Sequence, residues 1–131
     1  MTSLLGVNII FRVGEKLLEQ KVVDAAIGNP GVKGKYKMAA GVFYKNRLVA
    51  VGLNQYKTHP IMLQGNYREG QVYLHAEADA IVKASKLVDL SQCHMHVVRV
   101  TKGGRLALAK PCLGCFHLLN IFGLKEVTWT T

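Results

Sequence analysis

Apolar residues at positions 13, 17, 18, 22, 25 and 26 recur at helical spacing and predict a helix over Val13–Ile27. Gly28, Asn29, Pro30 and Gly31 end it with turn chemistry. Met38–Tyr44 and Arg47–Leu53 read as strands joined by a tight turn at Lys45 and Asn46, hence a hairpin. A loop runs from Asn54 to about Tyr73, through Pro60, Gly65 and Gly70. Loops of that length inside a compact domain are uncommon and are usually functional or disordered. A second helix spans His75–Leu87, with Ala76, Ala80, Ile81, Ala84 and Leu87 as its apolar stripe. Met95–Val100 is a third strand, followed by a glycine-containing turn over Lys102–Arg105. A third helix covers Cys112–Phe122, with Gly123 as its C-terminal cap, and Lys125–Trp129 is a fourth strand. The first two strands form an antiparallel hairpin, and each of the last two follows a helix, the mark of a parallel crossover. The expectation is one α/β domain over 1–131, with a mixed central sheet and helices on its faces.

Composition narrows the picture only a little. Half of the residues are apolar, enough for a real core. The formal charge is +9, from 17 Lys plus Arg against 8 Asp plus Glu. Such a balance attracts polyanions, free nucleotides or anionic membranes without choosing among them. The basic residues are spread from Arg12 to Lys125, densest at Lys33, Lys35, Lys37, Lys45 and Arg47. Three cysteines cannot all pair within the chain, so a disulfide framework is not expected. No stretch has the character of a signal peptide or a membrane span. These features predict a soluble protein of a reducing compartment, the cytoplasm, with no membrane partner.

The chemistry concentrates in two short segments. His75-Ala76-Glu77 opens one predicted helix, and Pro111-Cys112-Leu113-Gly114-Cys115 opens another. Two cysteines separated by two residues suit one metal, because a helical turn brings both sulfurs to one point. A helix N-terminus also favours the thiolate. His75, Cys112 and Cys115 make three protein ligands and leave a fourth tetrahedral position for water, the pattern of catalytic zinc. Glu77 is close enough to move protons without binding the metal. Alone, Cys-x-x-Cys also fits a redox pair or a structural half-site, and His-x-Glu is common by chance. Together they match the known zinc-deaminase signature, His-x-Glu with Pro-Cys-x-x-Cys.

On these residues the chain resembles the cytidine and deoxycytidylate deaminase superfamily from about Ala39 to Trp129. The likeness extends to Gly52-Leu53-Asn54, to Ala78-Asp79-Ala80-Ile81 after the first motif, to Lys110, and to Gly123-Leu124-Lys125-Glu126-Val127. It implies a three-layer fold, bound Zn²⁺ and hydrolytic removal of an amino group from a nucleobase. It also implies that Asn54 meets the substrate sugar. Ala76 and Pro111, inside the two motifs, are counted with Asn54 as substrate-contacting positions. In the expected reaction zinc brings the pKa of its water toward ~7, and Glu77 carries protons from that water to the base and the leaving ammonia. Two positions depart from the family. Lys110 stands where many tRNA-adenosine relatives have glutamate, and Asp79 where many deoxycytidylate relatives have asparagine.

The preferred substrate is a free pyrimidine nucleoside or nucleotide, with Lys57, His59 and Arg68 of the long loop as candidate phosphate contacts. The alternative is cytosine or adenine in single-stranded nucleic acid, including a tRNA loop. The +9 charge favours it, as would base stacking by Tyr56, Tyr67 and Tyr73. A third reading is a zinc-bearing interaction module without catalysis. Cys93 is expected to be a partly buried bystander, and His94 and His96 to share one side of their strand, facing solvent. The strand 125–129 would leave an unpaired outer edge. Either the N-terminus covers it, since Leu5, Val7, Ile9 and Phe11 alternate as in a strand, or a second copy does, so a homo-oligomer is expected.

Overall fold

A computed structural model describes residues 2–4, 7–9, 16–31, 36–65, 67 and 73–131. The elements are β1 (Thr2–Leu4), β2 (Val7–Ile9), α1 (Lys16–Gly28), β3 (Lys37–Tyr44), β4 (Arg47–Leu53), α2 (Ala76–Ser85), β5 (Cys93–Val100), β6 (Leu106–Ala107), α3 (Leu113–Ile121) and β7 (Glu126–Trp129). The strands form one mixed sheet in the order β1-β2-β7-β5-β3-β4, with β6 paired to β5. The β3–β4 hairpin is as expected. Its turn residues Lys45 and Asn46 both have positive φ, 45° and 62°, which matches the twist of the flanking strands. β5 and β7 run parallel across α3, also as expected.

The alternation of side chains builds the layers. Ala40, Val42, Met95, Val97 and Val127 face α2 and α3, where Ile81, Phe116, Leu118 and Leu119 complete the main core. Ala39, Phe43, Val98 and Val100 face the other way, against Val22 and Ala26 of α1. The three-layer α/β reading therefore holds, with helices on both faces.

Several boundaries differ for local reasons. His75 and Cys112 are not helical residues but the N-caps of α2 and α3, both with extended backbone. β5 begins two residues early because it continues to pair with β7, His94 opposite Glu126. His94 and His96 do share one side, but both are buried, 9% and 8% exposed, on the face covered by α1. The expectation that they face solvent is corrected: that strand is covered on both sides. Cys93 is buried as well, and its thiol donates to the carbonyl of Asp89.

The outer edge of β7 is covered. β2 pairs with it in parallel, Asn8 opposite Glu126 and Ile9 opposite Val127, and β1 pairs in turn with β2. The N-terminal alternative is the one realised, so this edge gives no reason for a second copy. Among the described residues, no helix is long and apolar enough to cross a membrane.

Candidate metal centre and substrate cavity

The site is built where α2 crosses the end of β4. A Cβ on Gly52 would sit 2.2 Å from the backbone nitrogen of Ala80 and 2.3 Å from the carbonyl oxygen of Ala76. Only glycine allows the helix to lie that close to the strand. Asp79 locks the crossing: its Oδ2 accepts from the Leu53 amide (3.0 Å), Gln55 Nε2 (3.0 Å) and Lys83 Nζ (2.9 Å). The long loop returns to its origin, where Gln55 N donates to Leu74 O and Leu74 N donates to Lys57 O. His75 is thereby delivered beside the end of the sheet.

Neither His75 nor Cys112 spends its side chain on capping its helix. His75 Nδ1 instead lies 3.4 Å from Cys115 Sγ and 3.8 Å from Cys112 Sγ. The nitrogen–sulfur edge of a tetrahedron with Zn–S ~2.3 Å and Zn–N ~2.0–2.1 Å is about 3.6 Å. The two separations bracket that edge, so the donor set fits one zinc ion. His75, Cys112 and Cys115 form the single three-residue group placed to hold a metal among the described residues. The charge state fits too. Hydrogen bonding from Cys115 holds the Cys112 thiol down at about 4, while burial pushes Cys115 up. One negative sulfur is in place, and a metal replaces the proton on the other.

His75 Nε2 is buried without a hydrogen-bond partner among the described residues. The ring is held by aromatic packing instead: Tyr73 stacks on it at 4.9 Å and 26°, and Tyr67 meets it edge-on at 4.7 Å. Tyr67 Oη also hydrogen-bonds Cys115 Sγ at 3.0 Å. Its ring lies where a Cβ on Gly114 or Gly65 would be, 2.5 Å and 2.1 Å from the nearest ring carbon. Sequence reasoning offered both tyrosines as base-stacking residues. Tyr67 is part of the metal centre's support, and its phenol is pushed up by burial and by the adjacent sulfur.

Glu77, 3% exposed, stands beside the ligands and lines a cavity of about 400 Å³. Burial raises its pKa, opposed mainly by His75. A carboxylate raised toward neutrality can both take and return a proton. Asn54 and Ala76, both buried, also line this inner end. Asn54 is oriented by its neighbours. Its Oδ1 accepts from Met38 N (3.0 Å) and Asn29 Nδ2 (2.7 Å), and its Nδ2 donates to Tyr36 O (2.9 Å). Among the described residues, the second amide hydrogen of Asn54 has no acceptor.

The other expected contacts are placed differently. Pro111 is buried but does not line the cavity. His59 is exposed and caps the short turn Pro60–Gln64, its Nδ1 accepting from Ile61 N. Ile61 and Met62 in that turn are core residues, so the loop is anchored there. Lys57 is exposed and, like His59, is not in the cavity wall. Arg68 lies outside the described residues. Tyr36, Arg99 and Lys110 do line the outer part of the cavity and were not among the expected contacts. For Arg99 a signal existed: strand parity puts it on the face of Met95 and Val97 at the ligand end of the strand.

Residues 15–131 match the family model of the cytidine and deoxycytidylate deaminase zinc-binding region. The chain belongs to that family, and its cofactor is zinc. Its fold is similar to that of the dCMP deaminase from the cyanophage S-TIM5, at 18% identity and a TM-score of 0.62, covering 88% of this chain and 80% of that one. A mutant cytidine deaminase from Mycobacterium tuberculosis is similar at 17% identity and a TM-score of 0.57, covering 90% and 85%. No curated protein sequence is significantly similar to the chain.

Proposed function

We propose that the chain catalyses the hydrolytic deamination of cytosine to uracil in a free nucleoside or nucleotide. The observation that carries this reading is a buried carboxylate, Glu77, in the wall of a cavity also lined by His75 and Cys112 of the metal-holding group. Held by those three residues, zinc supplies acidification of a water toward pKa ~7. Glu77 takes one proton from the water that adds to the amino-bearing ring carbon and passes it to the neighbouring ring nitrogen. It then moves the remaining hydroxyl proton to the amino group, the C–N bond breaks, ammonia leaves and the carbonyl forms. One residue serves as base and acid in turn. Asn54 offers its second amide hydrogen to the sugar, and Ala76 supplies inner wall. The three cysteines are unpaired, which suits a reducing compartment such as the cytoplasm.

A second reading, cytosine or adenine within single-stranded nucleic acid, is favoured by the exposed Lys102 and Arg105 in the turn before β6. Zinc-loaded protein incubated with cytidine, deoxycytidine, their monophosphates, adenosine and oligonucleotides, with products followed by mass, separates the two. Cytosine mononucleosides or mononucleotides should gain the mass change of deamination. Glu77→Gln should keep zinc and lower turnover by ~10²- to 10⁴-fold. Turnover of oligonucleotides alone would transfer the assignment to the second reading, and undiminished turnover in Glu77→Gln would remove the proton-shuttle role.

A further inference from the structure

Arg99 is the unexplained group of the cavity. It stands on β5 opposite Met38 of β3 and Ala107 of β6. Its guanidinium carbon lies 3.3 Å from the centre of the Tyr36 ring, a cation–π contact that holds the group over the plane of the ring. Nη1 donates to Leu108 O at 3.2 Å, which orients the group. Nε is buried and has no hydrogen-bond partner among the described residues. The guanidinium lines the cavity, where its outer N–H groups can donate charge-assisted hydrogen bonds to an acceptor.

The charge distribution says what that acceptor is. Among the described residues, the carboxylate lining the cavity is Glu77, at the buried end, and the lysine and arginine lining it are Lys110 and Arg99. Tyr36, Leu108 and Lys110 are exposed, which places this part of the wall at the mouth. Lys102 and Arg105, also exposed, lie just beyond in the same β5–β6 hairpin. A ligand base held at Glu77 and the metal group would extend its other end toward these cations. A volume of about 400 Å³ is in the range of small-ligand sites, ~300–1,000 Å³.

We infer that Arg99, with Lys110 beside it, forms an anion subsite that binds the phosphate of a nucleoside monophosphate. This rests on the deaminase reading and narrows it, making Arg99 a specificity-determining residue and the monophosphate the preferred substrate. A phosphodiester of a single strand has the same chemistry, so the test has an arm for each source.

Zinc-loaded wild type, Arg99→Gln and Lys110→Ala are compared on deoxycytidine, its 5′-monophosphate and a cytosine-containing oligonucleotide. In parallel, calorimetry measures binding of uridine and uridine 5′-monophosphate, a readout independent of turnover. Wild type should favour the monophosphate, and Arg99→Gln should cut the monophosphate-to-nucleoside ratio of kcat/KM on the order of 10- to 100-fold, the scale of one charge-assisted contact. The binding ratio should fall in the same direction, with a smaller fall for Lys110→Ala, whose side chain is exposed and unneeded for folding. Equal loss on nucleoside and monophosphate in both variants overturns the subsite. Selective loss on the oligonucleotide alone assigns the site to a backbone phosphate and overturns the mononucleotide. If no cytosine compound is turned over, the deaminase reading fails, while the uridine and uridine-monophosphate binding ratio still decides whether Arg99 reads phosphate.

Discussion

The two faces of the sheet each bury polar groups, and they use them in opposite ways. Under α1, His94 stacks on Phe43 at 4.9 Å and 8°, and His96 Nδ1 lies 2.6 Å from Thr128 Oγ1. These groups are spread along two paired strands in register, 94 opposite 126 and 96 opposite 128, and do not converge on one point. Under α2 and α3 the polar groups converge on one point from two helix starts. There His75 faces two sulfurs, and Glu77 is held at low exposure with a raised pKa. Burial of a histidine therefore does not mark function. What distinguishes the second face is bonding capacity aimed at a shared space and left for a ligand.

The largest effect that would test this contrast is loss of the metal. Cys115→Ser should reduce zinc from about one per chain to near zero by elemental analysis, since it leaves only His75 and Cys112 to hold the ion. Retained zinc in that variant would break the assignment. Tyr67→Phe sharpens it. The ring still packs on Gly114 and Gly65, but the Oη contact to Cys115 is lost. Zinc affinity, measured by competition with a chelator, should weaken ~10- to 100-fold, as for other groups that orient metal ligands. The smallest effect belongs to the other face. Thr128→Val removes the partner of His96 Nδ1 and should cost ~1–2 kcal/mol in denaturant unfolding. Its zinc content and turnover should stay at wild-type values, and a loss of zinc there would join the two faces into one functional unit.

Much of this was legible in the chain, for identifiable reasons. The hairpin at Lys45 and Asn46 and the helices behind His75 and Cys112 follow from local periodicity and turn chemistry. The metal triad was legible because its residue types are rare and their spacing is dictated by one helical turn. Tyr67 was visible only as an aromatic in a long loop. Its role depends on two glycines, one of them 47 positions from it in the chain. Lys57 and His59 looked suited to a phosphate because they are basic and precede the motif. The turn at Pro60–Gln64, fastened by buried Ile61 and Met62, places them outside the cavity wall instead.

By itself the sequence determined the main helices and the four central strands, which residue types hold the metal and which carboxylate accompanies them. Each of these depends on interactions within one turn or one strand, where spacing along the chain equals spacing in space. The tertiary structure alone decided that the N-terminal segment covers the edge of β7, since a parallel pairing 118 positions apart has no local signature. It alone decided that His94 and His96 belong to the interior, because alternation says which residues share a face but not what covers it. It also decided that the outer wall includes Tyr36, Arg99 and Lys110 rather than Lys57 and His59 of the long loop. Those three come from separate elements and meet only when β3, β5 and the segment before α3 are brought together, where the Arg99–Tyr36 contact fixes a charge that no local pattern could orient.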